Sequence, residues 1–177
     1  MQSGYPGDSE AARNLPEHLR RWPGLFVYEG DRIVEAPAED QAVARGYPHW
    51  PDKGTVTNGM RITIMTGKSV CNTGEEVRVI HVFEATEPGA EVYVMGPKPV
   101  FGEYVDDVLV TEPPPDVEDP WVPLEYDGAT LPSPAVDYGY EITSYAFDRP
   151  GMHHIYWRLG PLQSNTLEVE VVDACRA

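Results

Sequence analysis

From residue 60 onward the hydrophobic positions fall on a period of two. Arg61-Ile62-Thr63-Ile64-Met65-Thr66 predicts a strand, followed by a turn around Asn72-Thr73-Gly74. Residues 75–85 predict a longer strand, with Val77, Val79, His81 and Phe83 on one face and Arg78, Ile80, Val82 and Glu84 on the other. Glu87-Pro88-Gly89 turns the chain into a strand at 91–95, which Gly96-Pro97 ends. Residues 104–110 predict a further strand. A proline-broken connection leads to three more, at 138–147, 152–159 and 166–172. In the last of these Leu167, Val169 and Val171 alternate with Thr166, Glu168 and Glu170, so one face belongs in a core and the other in water. Six or seven strands in roughly 115 residues, with turns about every 8 to 12, predict an all-β antiparallel sandwich over residues 60–177. An acidic, proline-rich insertion interrupts it at about 111–137.

Residues 1–59 are patterned differently and predict a mostly irregular N-terminal arm. One short helix is expected from Asn14 to about Arg21, with Pro16 and Glu17 in its first turn. A second is expected from Pro37 through Arg45, with Gly46 as its stop. Between them 25–28 and 32–34, joined by Glu29-Gly30-Asp31, read as a hairpin. The arm is poor in core residues, so it must lie against its own sandwich or a neighbouring chain.

The composition fits this reading. Eighteen prolines and 16 glycines in 177 residues suit short strands and turns, and a hydrophobic content of 41% supplies a core. Thirteen basic against 29 acidic residues give a net charge of −16, which argues against nucleic acid and anionic membrane surfaces as partners. No apolar run approaches the roughly 20 residues of a membrane span. Cys71 precedes an early strand and Cys175 follows the last one, so the two are either bridged or free thiols.

The segment Asp148-Arg149-Pro150-Gly151-Met152-His153-His154-Ile155-Tyr156-Trp157, followed by 164–171, resembles the last two strands of bacterial immunoglobulin-like and fibronectin-like modules. The resemblance implies an immunoglobulin-like sandwich and carries no catalytic residues. His153 stands where such modules usually have tyrosine, and neither cysteine lies where an inter-sheet pair would.

Candidate chemistry is sparse. Gly67-Lys68-Ser69 is like the end of a phosphate loop, but Ile62 replaces its first glycine and a strand follows where a helix is required. His81 and His153 are the metal-like pair, each on an apolar strand face, and they meet across the core if their strands are central; two nitrogens fall short of a zinc site. Residues 99–148 hold no Lys or Arg but twelve acids. Of these, Asp106, Asp107, Asp116, Glu118 and Asp119 are the candidate calcium ligands, against a solvated surface or a basic protein partner. Trp22, Tyr47, Trp50 and Trp121 sit beside prolines or between strands and are the candidate partner-binding rings. They serve equally as staples holding the arm to the sandwich, or as stacking surfaces for carbohydrate. The leading expectation is a non-enzymatic protein-interaction or assembly module, with a homo-oligomer or a basic protein as partner. The alternatives are a carbohydrate-binding sandwich and a metal-assisted enzyme using His81 and His153.

Twelve like charges without a counter-charge destabilise the fold at low salt, so the melting temperature is expected to rise between about 10 and 150 mM NaCl as the Debye length shrinks to about 8 Å. A calcium site would raise it further than ionic-strength-matched sodium. Equal shifts in a thermal melt would leave only a solvated acidic surface.

Overall fold

The computed structural model describes residues 15–94, 96–112 and 129–174. The chain is mostly β, and almost all its strand pairing is antiparallel. The first sheet is built on β5 (Glu76–Ala85). Strand β3 (Met60–Met65) pairs with it from Met60↔Ala85 to Met65↔Ile80. Strands β10 (Ala135–Asp137) and β11 (Thr143–Ala146) pair with it at Phe83–Ala85 and Glu76–Val79.

The second sheet runs β4 (Val70–Asn72), β14 (Leu167–Val172), β12 (Gly151–Leu159), β7 (Glu103–Val105) and β8 (Val108–Leu109). The chain crosses between the sheets at residues 66–69, and β4 lies parallel to the end of β14. Strand β13 (Leu162–Gln163) folds back on β12. Two ribbons complete the β structure: β1 (Phe26–Glu29) with β2 (Arg32–Glu35), and β6 (Glu91–Val94) with β9 (Ala129–Pro132).

The sheets meet through the residues that alternation assigns to the core. Ile62, Ile64, Val77, Val79 and Phe83 of the first face Ile155, Trp157, Leu159, Leu167, Val169 and Val171 of the second. Two turns obey their sequence signals. Gly89, after Pro88, adopts φ +93°, and Gly74 adopts φ +79°.

Three expected elements differ. The strand expected at 104–110 is a tight hairpin, because Asp106 and Asp107 take φ of 50° and 65° and fold β8 back on β7. The strand expected at 138–147 is β11 alone. Between β10 and β11 stand five residues, 138–142, opposite the three of β5 at 80–82, and this slack turns Tyr138 and Tyr140 into two different buried clusters. The helix expected through Arg45 is α2 (Ala38–Arg45), but Gly46 has φ −75° and leads into a 3-10 turn at Tyr47–His49 rather than capping in the left-handed region. The short helix α1 spans Glu17–Arg20, with Pro16 at its start. Asn14 and Cys175 lie outside the described residues. Cys71 is a buried free thiol, and burial pushes its pKa up.

Residues 15–50 form a third layer over the outer face of the first sheet. Leu25, Ala36, Ala44 and Tyr47 pack on Met65, Ile80, Val82 and Tyr138. Trp22 meets the Tyr138 ring edge-on at 5.2 Å. Two carboxylate clusters fix this layer. Asp40 of α2 accepts two bonds from Arg78 Nε at 3.1 and 2.9 Å and pairs with its Nη2 at 2.8 Å. Glu84 accepts from Tyr47 Oη at 2.5 Å and Arg61 Nε at 2.9 Å, and His18 Nε2 lies 3.0 Å away. Burial opposes its charge, but these donors hold Glu84 below the usual carboxylate range.

If this layer folds as part of the sandwich, Leu25→Ala costs about 3 kcal/mol as a core cavity and Tyr47→Phe about 2 kcal/mol as a lost hydrogen bond to a carboxylate. Urea denaturation should show both losses in one cooperative transition. A separate early transition for residues 15–50 would contradict this.

Candidate functional site

Strand β6 lies against β10, and the mouth between them opens beside the ends of β3, β5 and β12. There a cleft of about 580 Å³ remains. Its apolar wall is made of Met60, Phe83 and Leu159, and its aromatic wall includes Tyr93 and Tyr140. Phe83, Tyr140 and Leu159 also belong to the main core, so the cleft is the core's own open end. Ala90 and Glu91 form part of the rim.

One charged group sits inside it. Lys98 is 5% exposed, and its Nζ donates to Asp137 Oδ2 at 2.6 Å and to the Tyr93 carbonyl at 3.3 Å. The same ammonium lies 4.5 Å from the centre of the Tyr140 ring. The local backbone prepares this placement. Lys98 N donates to the Gly139 carbonyl and Glu141 N to the Lys98 carbonyl, each at 2.8 Å, while the other Asp137 oxygen takes Gly139 N at 2.8 Å. Burial first, and the Asp137 charge second, push the Tyr140 hydroxyl well above its ordinary pKa, so it stays protonated. The cleft therefore offers apolar walls, one compensated ion pair and the rim carboxylate of Glu91.

A second polar cluster crosses the sandwich core. His81 of β5 and Glu103 of β7 are fully buried, and their Nε2 and Oε2 lie 2.5 Å apart. Thr143 and Tyr145 of β11 donate their hydroxyls to the other Glu103 oxygen. Glu103 owes its position to Gly102, which sits at φ +83° where a Cβ would come within 2.2 Å of the Arg158 carbonyl oxygen. Burial disfavours the Glu103 charge, but His81 and the two hydroxyls outweigh it and hold the carboxyl below its usual range. An ionised carboxylate only accepts, so His81 Nε2 carries the shared proton. His81 Nδ1 is buried without a hydrogen-bond partner.

The residues singled out in the sequence are thus placed apart. Across the core His81 meets the Trp157 ring edge-on at 5.0 Å, not His153. His153 lies against Phe147, with Nδ1 2.6 Å from Asp106 Oδ2 and Nε2 2.9 Å from the Arg149 carbonyl. Partial burial works against its charge, but the two acceptors prevail and hold the imidazole above its ordinary pKa. When protonated, the ring donates through both nitrogens to these two acceptors.

Asp106 also accepts from His154 N at 2.9 Å, and Asp107 from Tyr156 Oη at 3.1 Å, so both carboxylates turn back onto β12. Among the described residues no three His, Cys, Asp or Glu side chains converge as a metal group. Tyr47 is buried, and Trp22 and Trp50 pack against the clusters beneath them. Trp121, Asp116, Glu118 and Asp119 lie outside the described residues. Gly67-Lys68-Ser69 is a turn into β4, with Lys68 Nζ on Glu75 at 2.6 Å. Lys98, Tyr140 and Glu103 escaped the sequence reading; the one available signal was Lys98 itself, an isolated cation immediately before an acid-rich tract.

Glu103 has a depressed folded pKa, so the stability it contributes is present above the unfolded carboxyl value near 4.3 and is lost as pH falls through the folded value. Glu103→Gln is expected to lower stability at pH 7 by about 3 kcal/mol and to flatten the acid limb of the stability profile. An unchanged limb between pH 5 and 2 would assign that limb to other carboxylates. No known family model matches the chain, and neither curated proteins nor solved structures give a match.

Proposed function

We propose that the chain is a non-enzymatic protein-interaction module of immunoglobulin-like sandwich type, which takes an apolar anchor side chain of a basic partner into the end cleft. The observation that carries this reading is the identity of the cleft's walls. Phe83, Tyr140 and Leu159 are core residues, so a bulky apolar side chain entering there extends the core, which is how interface hot spots gain their affinity. Charge complementarity selects the partner: Glu91 and Asp137 outnumber Lys98 in the cleft, within a protein of net charge −16. The sandwich assignment is supported by two features. The chain changes sheets between β3 and β4, and β4 lies parallel to the final strand β14.

The enzyme alternative finds less support, because His81 and His153 each serve a carboxylate in a structural contact. The assembly version is weakened too, since residues 15–50 are stapled to their own sandwich.

Panning a random peptide library on the full chain tests the proposal. Enriched peptides are expected to pair a bulky apolar residue with Lys or Arg. Ala90→Trp, which fills the cleft from its rim, should abolish binding, and Glu91→Lys should weaken it about tenfold, equivalent to about 1.4 kcal/mol. No enrichment, or enriched peptides that bind Ala90→Trp with unchanged affinity, would overturn it.

A further inference from the structure

A second concavity, of about 700 Å³, lies where the end of the N-terminal layer meets the β3–β4 turn and the start of β14. Its chemistry differs from that of the end cleft. Trp50 and Pro51 supply apolar surface, Thr66, Ser69 and Thr166 supply hydroxyls, and Asp52 and Glu168 supply carboxylates. Asp52, Ser69, Thr166 and Glu168 are exposed, so these groups are presented to solvent rather than locked in the core. Trp50 is half-buried, and its indole Nε1 is buried without a hydrogen-bond partner.

We infer that this groove binds a neutral saccharide. An indole beside hydroxyl and carboxylate side chains matches the two surfaces of a sugar ring. Its C–H face packs on an aromatic plane, and its hydroxyls donate to carboxylates while exchanging bonds with Thr and Ser. Both ionised groups of the lining are anionic, which disfavours uronates and sulfated sugars through like-charge repulsion. A stacked aromatic pair on the second sheet is engaged differently. Tyr104 and Tyr156 are stacked on each other at 5.0 Å and 8°, with Arg158 5.3 Å from each ring centre, so one face of each ring is taken by the other. The inference is independent of the end cleft, with which the groove shares no residue.

Affinity electrophoresis of the full chain through gels containing hydroxyethylcellulose, xyloglucan, arabinoxylan or galactomannan tests it, with polygalacturonate as the anionic control. Retardation by at least one neutral polymer and none by polygalacturonate is expected. Asp52→Asn and Thr66→Val, both on the rim, should each weaken retardation about five- to tenfold, as loss of one or two hydrogen bonds does. Trp50→Ala should abolish it, and Ala90→Trp in the other cleft should leave it unchanged. Because Trp50 packs on the core, the rim variants decide the matter if Trp50→Ala misfolds. Absence of retardation by every neutral polymer, retardation indifferent to both rim variants, or equal retardation by polygalacturonate would each overturn the inference.

Discussion

Strand β5 is buried on both faces, and each face must be covered by something different. Val77, Val79, His81 and Phe83 look into the sandwich, where β12 and β14 meet them. Ile80 and Val82 look the other way, and left in water they would forgo roughly 1.5–3 kcal/mol each. Residues 15–50 cover that face, which makes the N-terminal segment a structural layer rather than a tether. The same constraint explains why Tyr138 and Tyr140, two residues apart, serve opposite clusters: the chain beside β5 has to fill both sides of one strand.

Burying β5 twice also buries charge twice, and each charge has been given enough partners to remain ionised. On the outer face Glu84 gathers Tyr47, Arg61 and His18, so the carboxylate joins α1, the 3-10 turn and β3 at one point. On the inner face His81 meets Glu103, whose second oxygen takes Thr143 and Tyr145. That cluster links the two sheets through a directional contact that apolar packing alone would not supply. Networks of this kind contribute little net stability against an apolar core, but they penalise any alternative register that leaves a buried charge unpaired.

Both concavities sit where this layering stops. The end cleft lies where core side chains near the ends of β5 and β12, Phe83 and Leu159, are reached from outside beside β6. The Trp50 groove exists where the N-terminal layer ends and the chain crosses between the sheets. One is walled by core residues around a compensated ion pair, and the other is rimmed by exposed hydroxyls and carboxylates. The same architecture thus presents two openings of different chemistry.

The strands themselves were legible in the sequence because alternation is a local property. The strict in–out pattern of 167–172 placed Leu167, Val169 and Val171 in the core directly, and Pro88-Gly89 announced its turn. In β5 the sequence also put Ile80 and Val82 on the face opposite Val79 and Phe83, although nothing local says what covers that second face. Pairing was decided only by the tertiary structure. His81 and Glu103 are 22 residues apart in sequence, and Lys98 and Asp137 are 39 apart. No period or spacing predicts which carboxylate a buried cation will find. Asp106-Asp107 read as candidate calcium ligands in an acidic tract, whereas the fold sets both in a left-handed turn and gives their carboxylates to β12. Local pattern fixes which side chains go inside. Which polar groups meet there depends on how the layers stack, because a buried charge is satisfied by whatever the opposing layer brings within hydrogen-bond reach.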